Sequence, residues 1–167
     1  QHTVSRYVLV RVETDAGIEG AGEATVMSRW SGETAWGAQA IIDHVFAPLL
    51  VGCDPSDIPG IDHVMDRAAA DNWFAKSAIE MACWDIQGKE AGKPVYELLG
   101  GPWRDSIPCY ATGFEVEWYL ELGFEAVKLP NPYGPPDGDE GLRLAEEMVA
   151  EARELLGPDR ALMMDCW

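Results

Sequence analysis

The sequence predicts a mixed α/β protein in two parts, an α+β first half and a β-α-β-α-β second half. Three observations carry this. "RYVLVRVETDAGIEGAGEATV" reads as two strands joined by a turn. "FAKSAIEMACWDIQGKEAG" has apolar residues at helical spacing. After "LGGPWRDS" short strand-like runs alternate with helical ones, the grammar of a parallel sheet.

In the hairpin, Val8, Val10 and Val12 alternate with Leu9 and Arg11, which predicts a mostly buried strand. Asp15-Ala16-Gly17 supplies the turn, and Ile18 to Ala24 returns. "VMSRWSGET" reads as a surface turn with an exposed Arg. Ala38, Ile41, Ile42 and Val45 then recur at helical spacing in a helix expected to end before Pro48, where a ring nitrogen has no N–H to give. A short helix is expected near Ile58 to Ala69. "DNWFAK" is a helix start with Asp71 or Asn72 as cap. In the helix that follows, Ala75, Ala78, Ile79, Ala82 and Ile86 mark an apolar face of small residues, fit for close approach by another backbone. Gly92 and Pro94 stop it, and a short turn of helix covers Tyr96 to Leu99.

In the second half, "IPCYAT", "FEAVKLP" and "RALMMDCW" are the strands, and "EVEWYLELG" and "DGDEGLRLAEEMVAEARELLG" the helices. A doubly wound open sheet and a barrel both fit this order. No G-x-G-x-x-G follows the first strand, which counts against a dinucleotide fold. In either architecture function collects at the carboxyl ends of the strands. Those ends carry Thr112-Gly113, Lys128 to Asn131, and Asp165 to Trp167. Asp165 can be a helix cap or a reactive carboxylate, and Lys128 can point to solvent or into a site.

Of 167 residues, 47% are hydrophobic, enough for a packed core. The formal charge of −17 argues against nucleic-acid or anionic-membrane partners, which reward Lys and Arg. The Glu-rich segment "DGDEGLRLAEEMVAEARELLG" carries part of it, and a charged, solvated helix face accounts for that. The cysteines at 53, 83, 109 and 166 form no C-x-x-C pair or zinc spacing, which fits a reducing, cytoplasmic setting. No signal peptide or long apolar run is present. The three histidines match no ligand spacing. The chain opens on Gln1 and enters a strand almost at once, so an earlier segment is expected to precede it.

"GIEGAGEA", "AKSAIEMACWDIQGKEAGKPVYELLGG", the "KLP" strand end and "MMDCW" together resemble the enolase superfamily, in the mandelate racemase and muconate lactonizing enzyme branch. The most specific stretch is W-D-x-x-G-K-x-x-G-x-P-V-Y-x-L-L-G-G, from Trp84 to Gly101. "IPCYATG", "LGFEAVKLPNPYGPPDGDEG" and "LMMDCW" look most like rhamnonate dehydratase and related sugar-acid dehydratases. The resemblance implies an N-terminal α+β capping domain over 1–102, its first strand lying upstream. Residues 103–167 would then be the first strands and helices of a modified TIM (β/α) barrel, truncated, with Ile107 onward opening it.

The resemblance further implies a Mg²⁺ ion held by carboxylates on three successive strands. Asp165 matches the first of these ligands, and the other two would lie beyond Trp167. The implied chemistry removes a proton next to a carboxylate, and a hard cation on oxygen ligands offsets the charge that develops. Many members carry Lys-x-Lys at the second strand end, the second Lys being a base. Here it is Lys128-Leu129-Pro130, and Pro130 cannot move a proton. Lys128 is thus expected to act as an electrostatic catalyst, with the base from later strands. Trp167 stands where some relatives place Asn, and Arg29 and Trp30 lie in the cap loop from which substrate contacts come. A small carboxylate substrate, a sugar acid, and a homo-oligomer are implied, and a piece of this length alone is expected to be inactive. The rival expectations are a racemase, epimerase or cycloisomerase on the same scaffold, or a non-catalytic homologue.

Overall fold

The computed structural model describes residues 6–166, with Trp30 as backbone only. The chain divides into two compact units, Gln1–Trp103 and Arg104–Trp167.

The first unit begins with strands β1 (Tyr7–Glu13) and β2 (Glu19–Thr25), antiparallel, with Val8 opposite Ala24, Val10 opposite Gly22 and Val12 opposite Gly20. Alternation sends these six residues to one face and Leu9, Arg11, Glu19 and Glu23 to the other. Leu9 is 76% exposed, so the expectation of a mostly buried strand is corrected. The hairpin has one covered face because one long helix packs on it.

That helix is α5 (Trp73–Ala91), which the left-handed Gly92 closes. Its predicted face is buried: Ala75, Ala78, Ile79, Ala82 and Ile86. Gly20 and Gly22 lie directly on it. A Cβ at Gly20 would overlap the Ala82 carbonyl, and one at Gly22 the Ala78 carbonyl. The W-D-x-x-G-K motif locks the same contact. Asp85 Oδ2 accepts from the Ala21 N–H (2.8 Å) and from Lys89 Nζ (2.7 Å), and Lys89 Nζ also donates to the Glu19 carbonyl (2.7 Å).

Between hairpin and α5 come α1 (Ser28–Ser31), α2 (Ala35–Ile41), α3 (Ala47–Leu50) and α4 (Ile58–Ala68). A wide π-type turn, Ile42–Phe46, joins α2 to α3, so the helical path runs through Pro48 instead of ending before it. The widened turn carries the Ala47 N–H to Ile42. Pro48 then follows directly on the widened turn as the second residue of α3, where the hydrogen-bond ladder has already shifted. Phe46, Met65 and Ile79 are among the core residues. Lys76 is also buried, its Nζ 2.7 Å from Asp66 and 4.8 Å from the Trp73 ring. A short α6 (Val95–Leu98) ends the ordered elements of the unit.

The second unit is a parallel sheet of β3 (Ala111–Thr112), β4 (Ala126–Pro130) and β5 (Ala161–Asp165), in that order. Helices α7 (Val116–Glu121) and α8 (Gly138–Leu156) connect them. Three strands in a row do not close a barrel. Strand β3 is shorter than the predicted "IPCYAT", and Ile107 is 74% exposed. Val127 and Leu129 face the helices and pack with Val116, Tyr119, Ala152 and Leu156.

Candidate active site at the strand ends

Strand alternation decides what meets at the carboxyl ends of β4 and β5. Val127 and Leu129 are buried under the helices, so Lys128 and Pro130 point to the other face. In the parallel register Lys128 is opposite Met163 and Pro130 opposite Asp165. Opposed residues share a face, so Lys128 and Asp165 lie diagonally on the sheet face away from the helices. Lys128 Nζ is 2.5 Å from Asp165 Oδ2, with the side chains 27% and 33% exposed. The Asp165 hydrogen bond holds the Lys128 ammonium above the usual lysine range. In this paired state Lys128 is a cation and hydrogen-bond donor, suited to meeting negative charge.

The backbone around the pair is tied. The Asn131 N–H donates to the Asp165 carbonyl (2.9 Å), carrying the ladder one step past β4. The Gly113 N–H donates to the Lys128 carbonyl (3.1 Å). The turn after β3 is held by Tyr119, whose hydroxyl lies 2.8 Å from Glu115 Oε2 and 3.2 Å from the Thr112 carbonyl. Glu115 is held below the usual carboxylate range by that hydroxyl, and Tyr119 is raised by the same bond. Gly113 has φ 148, and a Cβ there would overlap the Tyr119 hydroxyl. The Glu115–Tyr119 clamp escapes a sequence reading. Its trace is an E-x-x-x-Y spacing, which also occurs on unremarkable helix faces.

Arg29 is solvent-exposed on α1, and Trp30 follows it on the same turn, both in the first unit. Trp167 lies outside the described residues. Asp165 supplies one carboxylate, and among the described residues no three His, Cys, Asp or Glu side chains stand together as a metal ion would require. The described residues therefore supply one carboxylate donor at the strand ends, fewer than a Mg²⁺ site needs. No helix among the described residues is long and apolar enough to cross a membrane.

A hairpin-on-helix unit, followed by parallel strands whose ends bring a lysine onto an aspartate, defines an α/β protein with a strand-end site. Residues 1–100 match the family described as mandelate racemase / muconate lactonizing enzyme, N-terminal domain. The chain belongs to this family, a branch of the enolase superfamily, and its first unit carries the family's α+β capping domain.

Among solved structures, the chain is similar to muconate lactonizing enzyme from Pseudomonas putida, with 33% identity, a TM-score of 0.83, and coverage of 95% of this chain and 46% of that one. It is similar to N-succinyl Arg/Lys racemase from Bacillus cereus ATCC 14579, with 27% identity, a TM-score of 0.84, and coverage of 95% and 44%. A dipeptide epimerase from Enterococcus faecalis V583 matches with 29% identity, a TM-score of 0.84, and coverage of 98% and 48%. The chain thus spans less than half the length of these enzymes.

Proposed function

We propose that the whole protein removes a proton alpha to a carboxylate and dehydrates a sugar acid, an aldonate such as rhamnonate. A base takes the Cα proton and the electron pair moves into the carboxylate as an enediolate. The pair then returns to expel the β-hydroxyl, which leaves as water with a proton from a general acid. The enol product tautomerises to a 2-keto-3-deoxy acid. Lys128 is the electrostatic catalyst, its ammonium offsetting the charge on the carboxylate as the enediolate forms. Asp165 is one ligand of a Mg²⁺ ion, and the next two strands of the whole protein supply the other carboxylates. Arg29, Trp30 and Trp167 are substrate contacts: Arg suits a carboxylate or polyol, and Trp a sugar face. The division into a cap over 1–102 and a barrel start over 103–167, a cytoplasmic location and homo-oligomerisation belong to the same reading.

The observation that carries the choice of dehydration is Pro130. It occupies the strand end opposite Asp165, where a second base would be needed to move a proton on the other face of the substrate, and its ring nitrogen cannot carry one. A second reading, racemisation, epimerisation or cycloisomerisation, is supported by the activities that the similar structures are named for.

Full-length protein with Mg²⁺ and a panel of aldonates including rhamnonate, in deuterated water, separates the readings. Release of a 2-keto-3-deoxy acid is expected. Exchange or inversion at Cα without loss of water favours the second reading. Inertness towards aldonates, muconate and N-acylated amino acids alike would leave a non-catalytic homologue.

A further inference from the structure

The segment between β2 and α2 is made to keep one shape. The Ser31 N–H donates to the Met27 carbonyl and the Gly32 N–H to the Ser28 carbonyl, both at 3.0 Å, which closes α1. Gly32 is left-handed, with φ 75. Ser31 Oγ donates to the Met27 carbonyl and accepts from the Glu33 N–H, each at 3.2 Å. Thr34 then caps α2 by accepting from the Gly37 N–H (3.0 Å). These bonds fix the internal form of a short bow that carries Arg29 and Trp30.

Glu33 ties that bow to the rest of the unit. Its Oε1 accepts from the Phe74 N–H at 3.3 Å, 41 residues away in sequence. Phe74 lies in the first turn of α5, where amides have no acceptor within the helix. The residue expected to cap them does not. Asn72 makes no capping bond, and its side-chain amide donates to the Ala70 carbonyl at 2.7 Å. Asp71 and Asn72 both hold positive φ, 53 and 57, a region that Asp and Asn enter more readily than other non-glycine residues but still at a cost. A strained entry thus hands the capping of α5 to a remote carboxylate. The second oxygen, Oε2, is shut away from solvent with no hydrogen-bond partner among the described residues. The positive end of the helix dipole suits a carboxylate so placed.

We propose that Glu33 is a positioning residue for substrate recognition. Seated on the first turn of α5, it sets where Arg29 and Trp30 are presented, and so governs affinity and selectivity rather than the rate of the chemical step. This rests on the reading of Arg29 and Trp30 as substrate contacts.

The test uses the full-length protein, rhamnonate as the probe, and the variants Glu33→Ala, Glu33→Gln and Arg29→Ala. Glu33→Ala should raise KM about tenfold with kcat within about twofold, the signature of lost binding that is equal in ground and transition states. Glu33→Gln keeps an acceptor oxygen and should recover most of the loss. Hydrogen exchange without substrate should show amides 28–34 opening at least about tenfold faster in Glu33→Ala. Unchanged protection of 28–34 overturns the proposal whether or not rhamnonate is turned over. A raised KM in Arg29→Ala with an unchanged KM in Glu33→Ala overturns the proposal alone. An unchanged KM in Arg29→Ala overturns the reading of the substrate contacts, and the proposal falls with it.

Discussion

Lys128 and Asp165 meet across neighbouring parallel strands, Nζ to Oδ2 at 2.5 Å, because each points to the sheet face away from the helices. The pair is about a third exposed on each side, and a pair so wetted adds little to stability. Lys128→Met and Asp165→Asn in the full-length enzyme should therefore leave urea unfolding nearly unmoved. Each should lower kcat/KM by about a hundredfold or more, the scale of losing a preorganised charge. A large fall in the urea midpoint while activity persists would make the pair a strut instead.

Gly20 and Gly22 admit no side chain. A methyl at either position would drive into a backbone carbonyl of α5, at Ala82 or Ala78, and helix and strand cannot both stay in place. Gly20→Ala and Gly22→Ala should each cost about 2–4 kcal/mol, read as a lower denaturant midpoint. A glycine-to-alanine change at the exposed turn, Gly17, meets no neighbour. Its cost should be confined to the strain of its φ of 76, about 1 kcal/mol.

Lys76 is buried with its charge satisfied by Asp66, whose own side chain is 58% exposed. Asp66→Ala removes the bonded partner and leaves the ammonium with the Trp73 ring and the charge of Asp62. A fully buried orphan charge costs about 3–5 kcal/mol. The wetter side of this pair brings the expectation down to about 1–3 kcal/mol. Lys76→Met keeps the volume and removes the charge, so it should cost less than Asp66→Ala in thermal unfolding. The reverse order would show that packing of the lysine stem, not its charge, is what matters.

Two aspartates should pull in opposite directions on stability against pH. Asp85 is held below the usual carboxylate range, first by Lys89 and then by the Ala21 N–H. Its stabilisation is complete above the unfolded value near 4 and is lost as pH falls through the lower folded value. Asp62 is raised, first by burial and then by Glu80 and Asp66. Its ionisation opposes folding above its raised folded value, and that cost vanishes below the unfolded value. Asp62→Asn should thus stabilise at pH 7, by less than about 1 kcal/mol, and do nothing at pH 3. Asp85→Asn should destabilise at pH 7, and its deficit should narrow in acid.

Legibility followed how local the cause was. Helix α5 was readable because Ala75, Ala78, Ile79, Ala82 and Ile86 recur at its own period and Gly92 ends it. Lys128 and Asp165 were readable as strand-end residues, but only the register of β4 on β5 places them on one face. Leu9 was not, since nothing in β1 says that its second face is left uncovered. Pro48 misled because a π-type turn upstream shifts the hydrogen bonding before the ring is reached. The cap of α5 misled because Asn72 has the right chemistry and the wrong φ. Glu33 was invisible because its partner is a backbone amide far along the chain.

The Ala21 amide is held by Asp85 and the Glu19 carbonyl by Lys89, so at the start of β2 two backbone groups that face away from β1 are already taken by side chains of α5. An incoming strand could not pair along the whole of this border without first displacing them. Stacking of copies into a fibre needs two sticky borders per copy so that each newcomer recruits the next. Side chains that occupy part of one border set a cost on each such step.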